Sequence, residues 1–246
     1  FRSRDLSEEE YPFIWTDALY EKVRQDGRVV SMAILVVCGV NTQGQREILA
    51  IEPMLEESKE TYKQLFSSLK ERGLSGVQLV VSDAHLGLQA AIRESFPMAS
   101  WQRCKVHFMR NIMAHVPHKE KESFAAQLKQ IWLAPNRDMA YLRAKTLIET
   151  YQKRFPKAIE TLEKGLEDSL QFFQFPEIDP RKISSTNLME RLNKEVRRRT
   201  KVVGIFPDTK AYLRLVTAFL IEYSEDWTIN RAYIKKETMD KLKNVA

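Results

Sequence analysis

The chain has 246 residues, 43% of them hydrophobic, which is enough for one large domain with an insertion or for two domains. No apolar run approaches the roughly 18 to 20 residues of a membrane span, and the first residues lack the apolar core of a signal peptide. The two cysteines are too few for a disulfide framework. These features argue against a membrane protein and a disulfide-rich secreted domain, and they predict a chain of the reducing cytoplasm.

Positive charge is concentrated in one short segment. The net charge is +6, and eight Lys or Arg residues stand against two Glu between Arg181 and Lys201, so this segment carries the whole excess. A basic cluster of this kind attracts the phosphates of nucleic acid. Basic helices also occur on proteins that bind no nucleic acid, so the charge alone leaves both interpretations open.

The first half of the chain predicts a mixed sheet with helices packed on it. Three strands come first and pair in antiparallel fashion, because Asp-Gly between two apolar runs favours a hairpin turn. A helix, a buried parallel strand, a second helix and a further strand follow, as in a sheet covered by helices. The predicted strands are residues 12–23, 28–40, 45–53, 76–83 and 98–104.

The second half predicts helices. From Lys105 to Phe175 the strand signals disappear, and apolar residues recur at helical spacing between prolines. This pattern indicates a small helical domain that packs against the sheet domain or is inserted into it. Residues 184–200 then form a basic helix, 202–208 a loop and 211–227 an amphipathic helix.

Two acidic residues occupy positions that need a physical explanation. Asp17 lies in the middle of the first strand, where Trp15 and Leu19 point to the same side. Burying a carboxylate among apolar groups is unfavourable unless a cation or hydrogen-bond donors compensate it. Asp83 ends the buried parallel strand, where open sheets place ligands. Each also has a local interpretation, in which Asp17 bonds a neighbouring amide and Asp83 caps the next helix.

A third acid, Glu190, lies on the basic helix and shares one face with Lys194 and Arg197, opposite an apolar stripe. A structural role is available, since Asn187 and Glu190 have the spacing of a helix cap and Glu190 with Lys194 forms a favourable i,i+4 pair. If the three acids instead converge, they offer the oxygen ligands that two Mg²⁺ ions need for phosphoryl transfer.

Four segments of the chain carry long motifs. They are DALYEKVR around Asp17, VVSDAHLGLQAAI around Asp83, WQRCKVHFMRN with Cys104 and His107, and STNLMERLNKEVRRRTKVVGIFPD around Glu190. In order and content they resemble the prokaryotic Mutator-like insertion-sequence transposases, including that family's Cys-x-x-His element. The resemblance covers nearly the whole chain.

The resemblance implies an α/β fold of the RNase H-like type, with a mixed sheet flanked by helices and an all-helical insertion between the second and third acids. The expected organisation is residues 1–108 for the first part of the catalytic domain and 109–180 for the insertion. Residues 181–246 are then the remainder of the catalytic domain, with the third acid and the C-terminal helices.

The resemblance assigns Asp17, Asp83 and Glu190 to a catalytic and metal-binding DDE triad, with two Mg²⁺ ions, or Mn²⁺ as a substitute, as the expected cofactor. The implied chemistry is cleavage at transposon ends by water, followed by attack of the freed 3′-hydroxyl on DNA without a covalent protein–DNA intermediate. The implied partner is double-stranded DNA, as terminal inverted repeats and as target, with a homodimer assembled on it and no membrane. The expected location is the prokaryotic cytoplasm, at the nucleoid.

Two features depart from the family's pattern. Family members carry an additional N-terminal region that helps to recognise the inverted repeats, so this chain is expected to be a fragment. Tyr62 stands where the family has a tryptophan. This change puts a local packing or DNA contact in question but leaves the triad intact.

Residues around the second acid are further candidates for DNA contact or for support of the acids. Cys104 and His107 have a spacing found in zinc sites, but a structural zinc needs four ligands. We therefore favour a role in ordering the junction of strand and helix, or a DNA contact. His85 supports the acids, contacts DNA or simply starts a helix. An aromatic-basic surface formed by Arg103 with the tryptophan and glutamine before it is one interpretation, and a core position for that tryptophan is the favoured one.

The basic helix supplies the remaining candidates. Its polar and basic side chains are expected to contact phosphates or to support the acids, although some of them only solvate the helix. They are Asn187, Lys194, Arg197, Arg198, Arg199 and Lys201.

Two other functions fit the same residues. A domesticated transposase that no longer catalyses would keep the fold and the basic surface as a DNA-binding protein. An RNase H-like nuclease or junction resolvase would cleave DNA without joining a 3′-hydroxyl to a target. Retention of all three acids favours an enzyme, and strand-transfer products distinguish a transposase from a nuclease.

Overall fold

The computed structural model describes residues 2–229 and 232–243. Two compact units divide the chain: Phe1–Trp101 with Thr186–Ala246 form the first, and Gln102–Ser185 form the second. No helix among the described residues is long and apolar enough to cross a membrane.

Strands and helices alternate as the sequence predicts. The strands are β1 (Phe13–Gln25), β2 (Arg28–Val40), β3 (Arg46–Met54), β4 (Leu79–Ser82), β5 (Ser100–Arg103) and β6 (Ile205–Phe206). The helices are α1 (Lys59–Glu71), α2 (Leu86–Ser95), α3 (Lys105–Met113), α4 (Lys121–Trp132), α5 (Arg137–Tyr151), α6 (Pro156–Ser169), α7 (Pro180–Ile183), α8 (Asn187–Thr200), α9 (Thr209–Ile229) and α10 (Lys236–Lys243).

The described part of the first unit is built on a mixed sheet. The strand order is β3-β2-β1-β4-β5, and β6 pairs with β1. The pairs β1–β2 and β2–β3 are antiparallel, whereas β4 and β6 run parallel to β1. Asp26 and Gly27 both have positive φ, 50° and 74°, which matches the primed turns that suit the twist of a hairpin. The predicted Asp-Gly hairpin and the mixed α/β sheet are therefore confirmed.

The two faces of the sheet pack against different helices. Ile14 and Ala18 of β1 face the apolar sides of α1 and α2, in a core that includes Phe66 and Ile92. Alternate residues of β1 point to the other face, where α8 and α9 pack. This alternation decides which β1 side chains face the helix that carries Glu190.

The outer edge of β3 is covered by the chain's first residues. Arg4 donates hydrogen bonds to the Glu47 carboxylate at 2.8 Å and to the Ile48 carbonyl oxygen at 3.1 Å. The Arg72 guanidinium donates to the carbonyl oxygens of Leu49 and Arg4, both at 2.9 Å. Because an uncovered edge strand invites pairing with another chain, these contacts protect the sheet.

The second unit is helical apart from the end of β5, and a buried amide holds its parts together. The Gln102 side chain donates to the Ser169 carbonyl oxygen at 2.9 Å and accepts from the Phe172 amide at 2.8 Å. The Trp132 indole N–H donates to the Ser169 hydroxyl at 3.1 Å. Residues 109–180, which the resemblance predicts to be an insertion, fall within the range of this unit.

One short element was not predicted. Residues 202–208 were expected to form a loop, but Ile205 and Phe206 form β6 and pair with Lys22 and Val23 of β1. Phe206 is buried and its ring packs against Tyr212, with ring centroids 4.8 Å apart. A two-residue strand has no periodicity, so only its tertiary partner reveals it.

Gly165 sets the separation of α3 and α6. A side chain there would meet the Arg103 guanidinium, and its Cβ would lie 2.8 Å from Phe108 Cε2. Glycine to alanine inside a helix usually stabilises a protein by about 1 kcal/mol. Here we expect Gly165→Ala to lower the free energy of unfolding by about 1 to 3 kcal/mol, because the added methyl overpacks the contact.

Urea denaturation measures this change. The control is Glu163→Ala on the exposed face of the same helix, which we expect to alter stability by less than about 0.5 kcal/mol. A higher free energy of unfolding for Gly165→Ala than for the original chain would contradict this prediction, because it would show that α3 and α6 can move apart without loss of stability.

Candidate active site

Asp17 is half-buried in the middle of β1 and both of its carboxylate oxygens accept hydrogen bonds. The Ala18 amide donates to Oδ1 at 2.9 Å, which is the local bond expected from the sequence. The Asn193 side-chain amide, on α8, donates to Oδ2 at 2.6 Å. Asp17 thus has the donors that its position among buried Trp15 and Leu19 requires.

Asp83 directly follows β4. The parallel pairing of β1 with β4 ends at Trp15 and Val81, and continuing that register by two residues along each chain matches Asp17 with Asp83. The interpretation of Asp83 as a helix cap is wrong, because His85 caps α2 and its Nδ1 accepts from the Leu88 amide at 3.3 Å.

Glu190 lies in the first turn of α8 and is half-buried. Asn193 is three residues further along this helix, so the two side chains are neighbours on its surface. Because Asn193 bonds Asp17, Glu190 belongs to the part of α8 that approaches β1. Asn187 is the first residue of α8 and Thr186 is its N-cap, so the cap proposed for Asn187 is wrong.

Helix α8 follows β1 along its length. The Thr200 hydroxyl at the helix end donates to the Glu21 carboxylate at 2.6 Å, two turns beyond the contact of Asn193 with Asp17. From α9, the Tyr212 hydroxyl donates to the Leu19 carbonyl oxygen at 3.2 Å. The bonds of Asn193 and Thr200 hold the helix that bears Glu190 against the strand that bears Asp17, and the bond of Tyr212 holds α9 against the same strand.

The contact of Asn193 with Asp17 was not predicted from the sequence. Asn193 is 5% exposed, and its side-chain oxygen has no hydrogen-bond partner in the described part of the chain. A polar residue beside Leu192 and Val196, on the buried side of an amphipathic helix, is the signal that would have identified it.

Tyr62, at which the resemblance led us to expect a tryptophan, is buried. Its ring packs against His85, with ring centroids 5.6 Å apart, and its hydroxyl donates to the Glu57 carboxylate. Burial, with the hydrogen bond to Glu57, raises the pKa of the Tyr62 hydroxyl far above its ordinary value. Tyr62 thus packs beside His85, the N-cap residue of α2, which lies two positions after Asp83.

The aromatic-basic surface, the less favoured interpretation of residues 101–103, is wrong for two of its members. Trp101 is buried in the core and its indole N–H donates to the Ser82 hydroxyl at 2.8 Å. Gln102 is fully buried and bonded within the second unit. Arg103 is half-buried, with its guanidinium carbon 4.1 Å from the centre of the Phe108 ring. The alternative interpretation of Trp101 as a core residue is confirmed.

Cys104 and His107 lie together at the start of α3. Cys104 is fully buried and is the N-cap residue of this helix, and its Sγ lies within 4.8 Å of a His107 ring nitrogen. Burial lowers the pKa of the neighbouring Lys105 ammonium from its ordinary value. Cys104 and His107 lie where β5 ends and α3 begins, which is the junction of strand and helix that the sequence predicts.

The basic side chains of α8 differ in exposure. Lys194, Arg197, Arg198 and Lys201 are exposed to solvent, and Arg198 pairs with Glu195 at 3.4 Å. Arg199 is half-buried, with its guanidinium carbon 3.9 Å from the centre of the Phe219 ring. Arg199 thus has a packing role that the four exposed residues lack.

The chain is similar to bacterial insertion-sequence transposases along its whole length. The sequence profile described as "Transposase, Mutator family" matches residues 1–230. The transposase for insertion sequence element ISRM5 of Rhizobium meliloti is 42% identical over 248 residues, which cover 100% of this chain and 62% of that protein. The transposase for IS256 in transposon Tn4001 of Staphylococcus aureus is 43% identical, over 95% of this chain and 60% of that protein.

A third relative, the transposase for IS1081 of Mycobacterium tuberculosis, is 41% identical over 99% of this chain and 59% of its own length. The chain thus spans about 60% of the length of these relatives. Among solved structures, the Drosophila P element transposase strand transfer complex aligns at a TM-score of 0.30 and 10% identity, over 95% of this chain and 70% of that chain. That likeness is too distant to support a conclusion. The family profile and the identities above 40% show that this chain belongs to the Mutator family of transposases.

Proposed function

We propose that the chain is the catalytic core of a DNA transposase that cleaves transposon ends and transfers the freed 3′-hydroxyl to target DNA. The observation that carries the proposal is the hydrogen bond between Asn193 and Asp17, because it joins the strand of the first acid to the helix of the third. The extended register of β1 and β4 supports placing Asp83 in the same cluster. In this proposal Asp17, Asp83 and Glu190 are the DDE triad.

The donor set fits hard divalent cations. Three carboxylates provide the oxygen ligands that Mg²⁺ and Mn²⁺ prefer, and the buried Asn193 oxygen without a hydrogen-bond partner is a further oxygen beside Asp17. When bound, two such ions would activate water or a 3′-hydroxyl and stabilise the leaving oxygen of the phosphodiester. The chain's own part is to hold the acids in place, and the amide of Asn193 fixes the orientation of Asp17.

The exposed bases of α8 would bind the DNA next to the acids. Lys194 lies one turn beyond Glu190, so a phosphate held near Glu190 is within reach of this helix. Arg197, Arg198 and Lys201 extend the positive surface toward the end of α8. The proposed substrates are the inverted repeats and a target duplex, bound by a homodimer at the nucleoid in the cytoplasm, since two ends must be brought together.

We also propose that the fold is RNase H-like, with the helical second unit as an insertion between Asp83 and Glu190. Three antiparallel strands followed by a parallel strand, with one acid on the first strand and another after the parallel one, support this assignment. The range of the second unit, Gln102–Ser185, lies between the two acids in the sequence.

Thermal unfolding with Mn²⁺ tests the metal cluster independently of catalysis. A concentration 100 times the dissociation constant adds about 2.7 kcal/mol to the free energy of unfolding. For a unit of this size the melting temperature should rise by about 5 to 10 °C. We expect Asp83→Asn to abolish this rise while melting at or above the original temperature without metal, because one repulsive carboxylate is gone.

Glu71→Gln, at the exposed end of α1, is the control and should keep the full Mn²⁺ response. An equal response of the Asp83→Asn chain and the original would contradict the metal cluster. If the cluster binds Mn²⁺ but no strand-transfer product forms on DNA, the nuclease alternative replaces the transposase.

A further inference from the structure

The β1–β2 hairpin extends beyond the strands that flank it. Strand β3 pairs with β2 only from Ala33 onward, and β4 pairs with β1 only at residues 13–15. Beyond these paired residues, toward the turn at Asp26 and Gly27, the two residues of β6 pair with the hairpin on the β1 side. This end of the sheet therefore has three strands, β2, β1 and β6.

One face of this end is open to solvent. Tyr20, Lys22 and Arg24 alternate on it along β1, and the register places Val29 opposite Arg24 and Ile205 beside Lys22. Lys22 and Arg24 are exposed, and the exposed fractions of Tyr20, Val29 and Ile205 are 48%, 46% and 41%. We call these five residues the hairpin face.

The hairpin face continues the side of the sheet that α1 and α2 cover. Their core ends at Ala18, which is partly buried, and the next residue on the same side is the exposed Tyr20. The opposite side stays buried, because Val23 and Phe206 are 0% and 2% exposed. A sheet that is packed on one side and open on the other fixes the backbone positions from which its exposed side chains project.

We infer that the hairpin face binds the sugar–phosphate backbone of duplex DNA. This inference rests on the proposed function and adds a contact separate from the acids, because Asp17 points to the other side of β1. The face carries two cationic side chains and no carboxylate. That sign of charge complements a polyanion.

The spacing and chemistry of the face suit a backbone. Lys22 and Arg24 are two residues apart on one strand, about 7 Å, so both can contact phosphates of the same DNA strand. The Tyr20 hydroxyl is a further phosphate donor, and Val29 and Ile205 offer apolar surface to deoxyribose rings.

A second copy of the chain is a poorer occupant. In a two-fold contact the same surface meets itself, so Lys22 and Arg24 would face their own equivalents. Like charges across a desolvated interface oppose association. Duplex DNA avoids this cost and releases counterions when the bases bind.

The salt dependence of DNA binding tests the inference. The probe is a fluorescent 30-base-pair duplex of arbitrary sequence, titrated with the chain in EDTA at several NaCl concentrations. Each phosphate contact contributes about 0.9 to the slope of log K against log salt. For Lys22→Ala with Arg24→Ala we expect the slope to fall in magnitude by about 2, with affinity reduced at every concentration.

Lys235→Ala with Lys236→Ala is the matched control. It removes the same charge from exposed sites near the β2–β3 turn, since Ile234 bonds Gly44 there, at the opposite end of the sheet. We expect the slope of log K against log salt to change by less than half as much for this control as for Lys22→Ala with Arg24→Ala. Circular dichroism melting checks that both double variants stay folded, which exposure of all four side chains predicts.

Repeating the titration in an Asp83→Asn background separates this inference from the proposed function. The decrease in salt slope caused by Lys22→Ala with Arg24→Ala should persist in that background, because binding in EDTA does not need the metal cluster. An equal slope for the hairpin-face variant and the original overturns the inference. A change in sedimentation-measured self-association with no change in slope would assign the face to a second copy and also overturn it.

Discussion

Replacing Glu190 with glutamine should reduce Mn²⁺-dependent nicking of supercoiled plasmid by about a thousandfold. The substitution keeps the size and shape of the side chain but removes the charge that would hold a divalent ion. Stabilisation of transition-state charge by a bound metal is worth several kcal/mol, and each 1.36 kcal/mol is a factor of ten in rate. Asp83→Asn should cause a loss of similar size, since both acids belong to one proposed cluster.

Glu195→Gln is the matched control for Glu190→Gln. It removes one negative charge from the same helix, but Glu195 pairs with Arg198 and is five residues from Glu190, on another side of α8. Nicking by this variant should stay within about threefold of the original, as expected for loss of a surface pair. Undiminished nicking by Glu190→Gln would leave that residue only the structural role of an acid in the first turn of a helix.

Replacing Asn193 with aspartate should destabilise the chain at neutral pH by about 3 kcal/mol in EDTA. The new carboxylate would stand where the Asn193 amide now donates to Asp17 at 2.6 Å. Two carboxylates so close cannot both ionise without a cation, so the pKa of the pair is raised above that of the unfolded chain. Leaving a buried charge uncompensated costs this much in other proteins.

The cost of Asn193→Asp should depend on pH with a definite sign. The folded variant binds more protons than the unfolded chain above the unfolded pKa of about 4, so its stability falls as pH rises toward the raised folded pKa. Below pH 4 this extra penalty disappears. Urea denaturation from pH 3.5 to 8, compared with the original chain, measures the difference.

Asn193→Ala separates charge from the loss of a hydrogen bond. It removes the donor to Asp17 without adding a carboxylate, so the difference from the original chain should vary much less with pH. If the alanine and aspartate variants show the same pH dependence, the proximity of residue 193 to Asp17 is not the cause. Adding Mn²⁺ should restore part of the stability lost by the aspartate variant, because a bound cation compensates the added charge.

The sequence predicts the strands and long helices well where local signals agree with tertiary packing. Asp26 and Gly27 adopt the positive φ angles that the hairpin needs, and β4 is short, apolar and buried, as a parallel strand should be. Element ends are less well predicted. The helix expected from residue 184 begins at Asn187, because residues 184–186 form bends between the end of α7 at Ile183 and the start of α8.

Local alternatives for single residues could not be resolved from sequence. By residue type Asp83 is the better helix cap, and only the backbone geometry shows that His85 is the cap of α2. A core position was favoured for Trp101 over a surface one, and its burial with a hydrogen bond to Ser82 confirms the core. Each choice depends on neighbours distant in sequence.

The amino-acid sequence by itself determined the family, the mixed α/β class and the three acids as candidates, because long motifs and hydrophobic periodicity are local properties. Only the tertiary structure revealed that Asn193 connects α8 with Asp17 and that β6 joins the end of β1. The exposed hairpin face is also a tertiary result, since Lys22 and Ile205 are 183 positions apart and become neighbours through strand pairing. Such contacts follow from how strands and helices pack, which no local pattern contains.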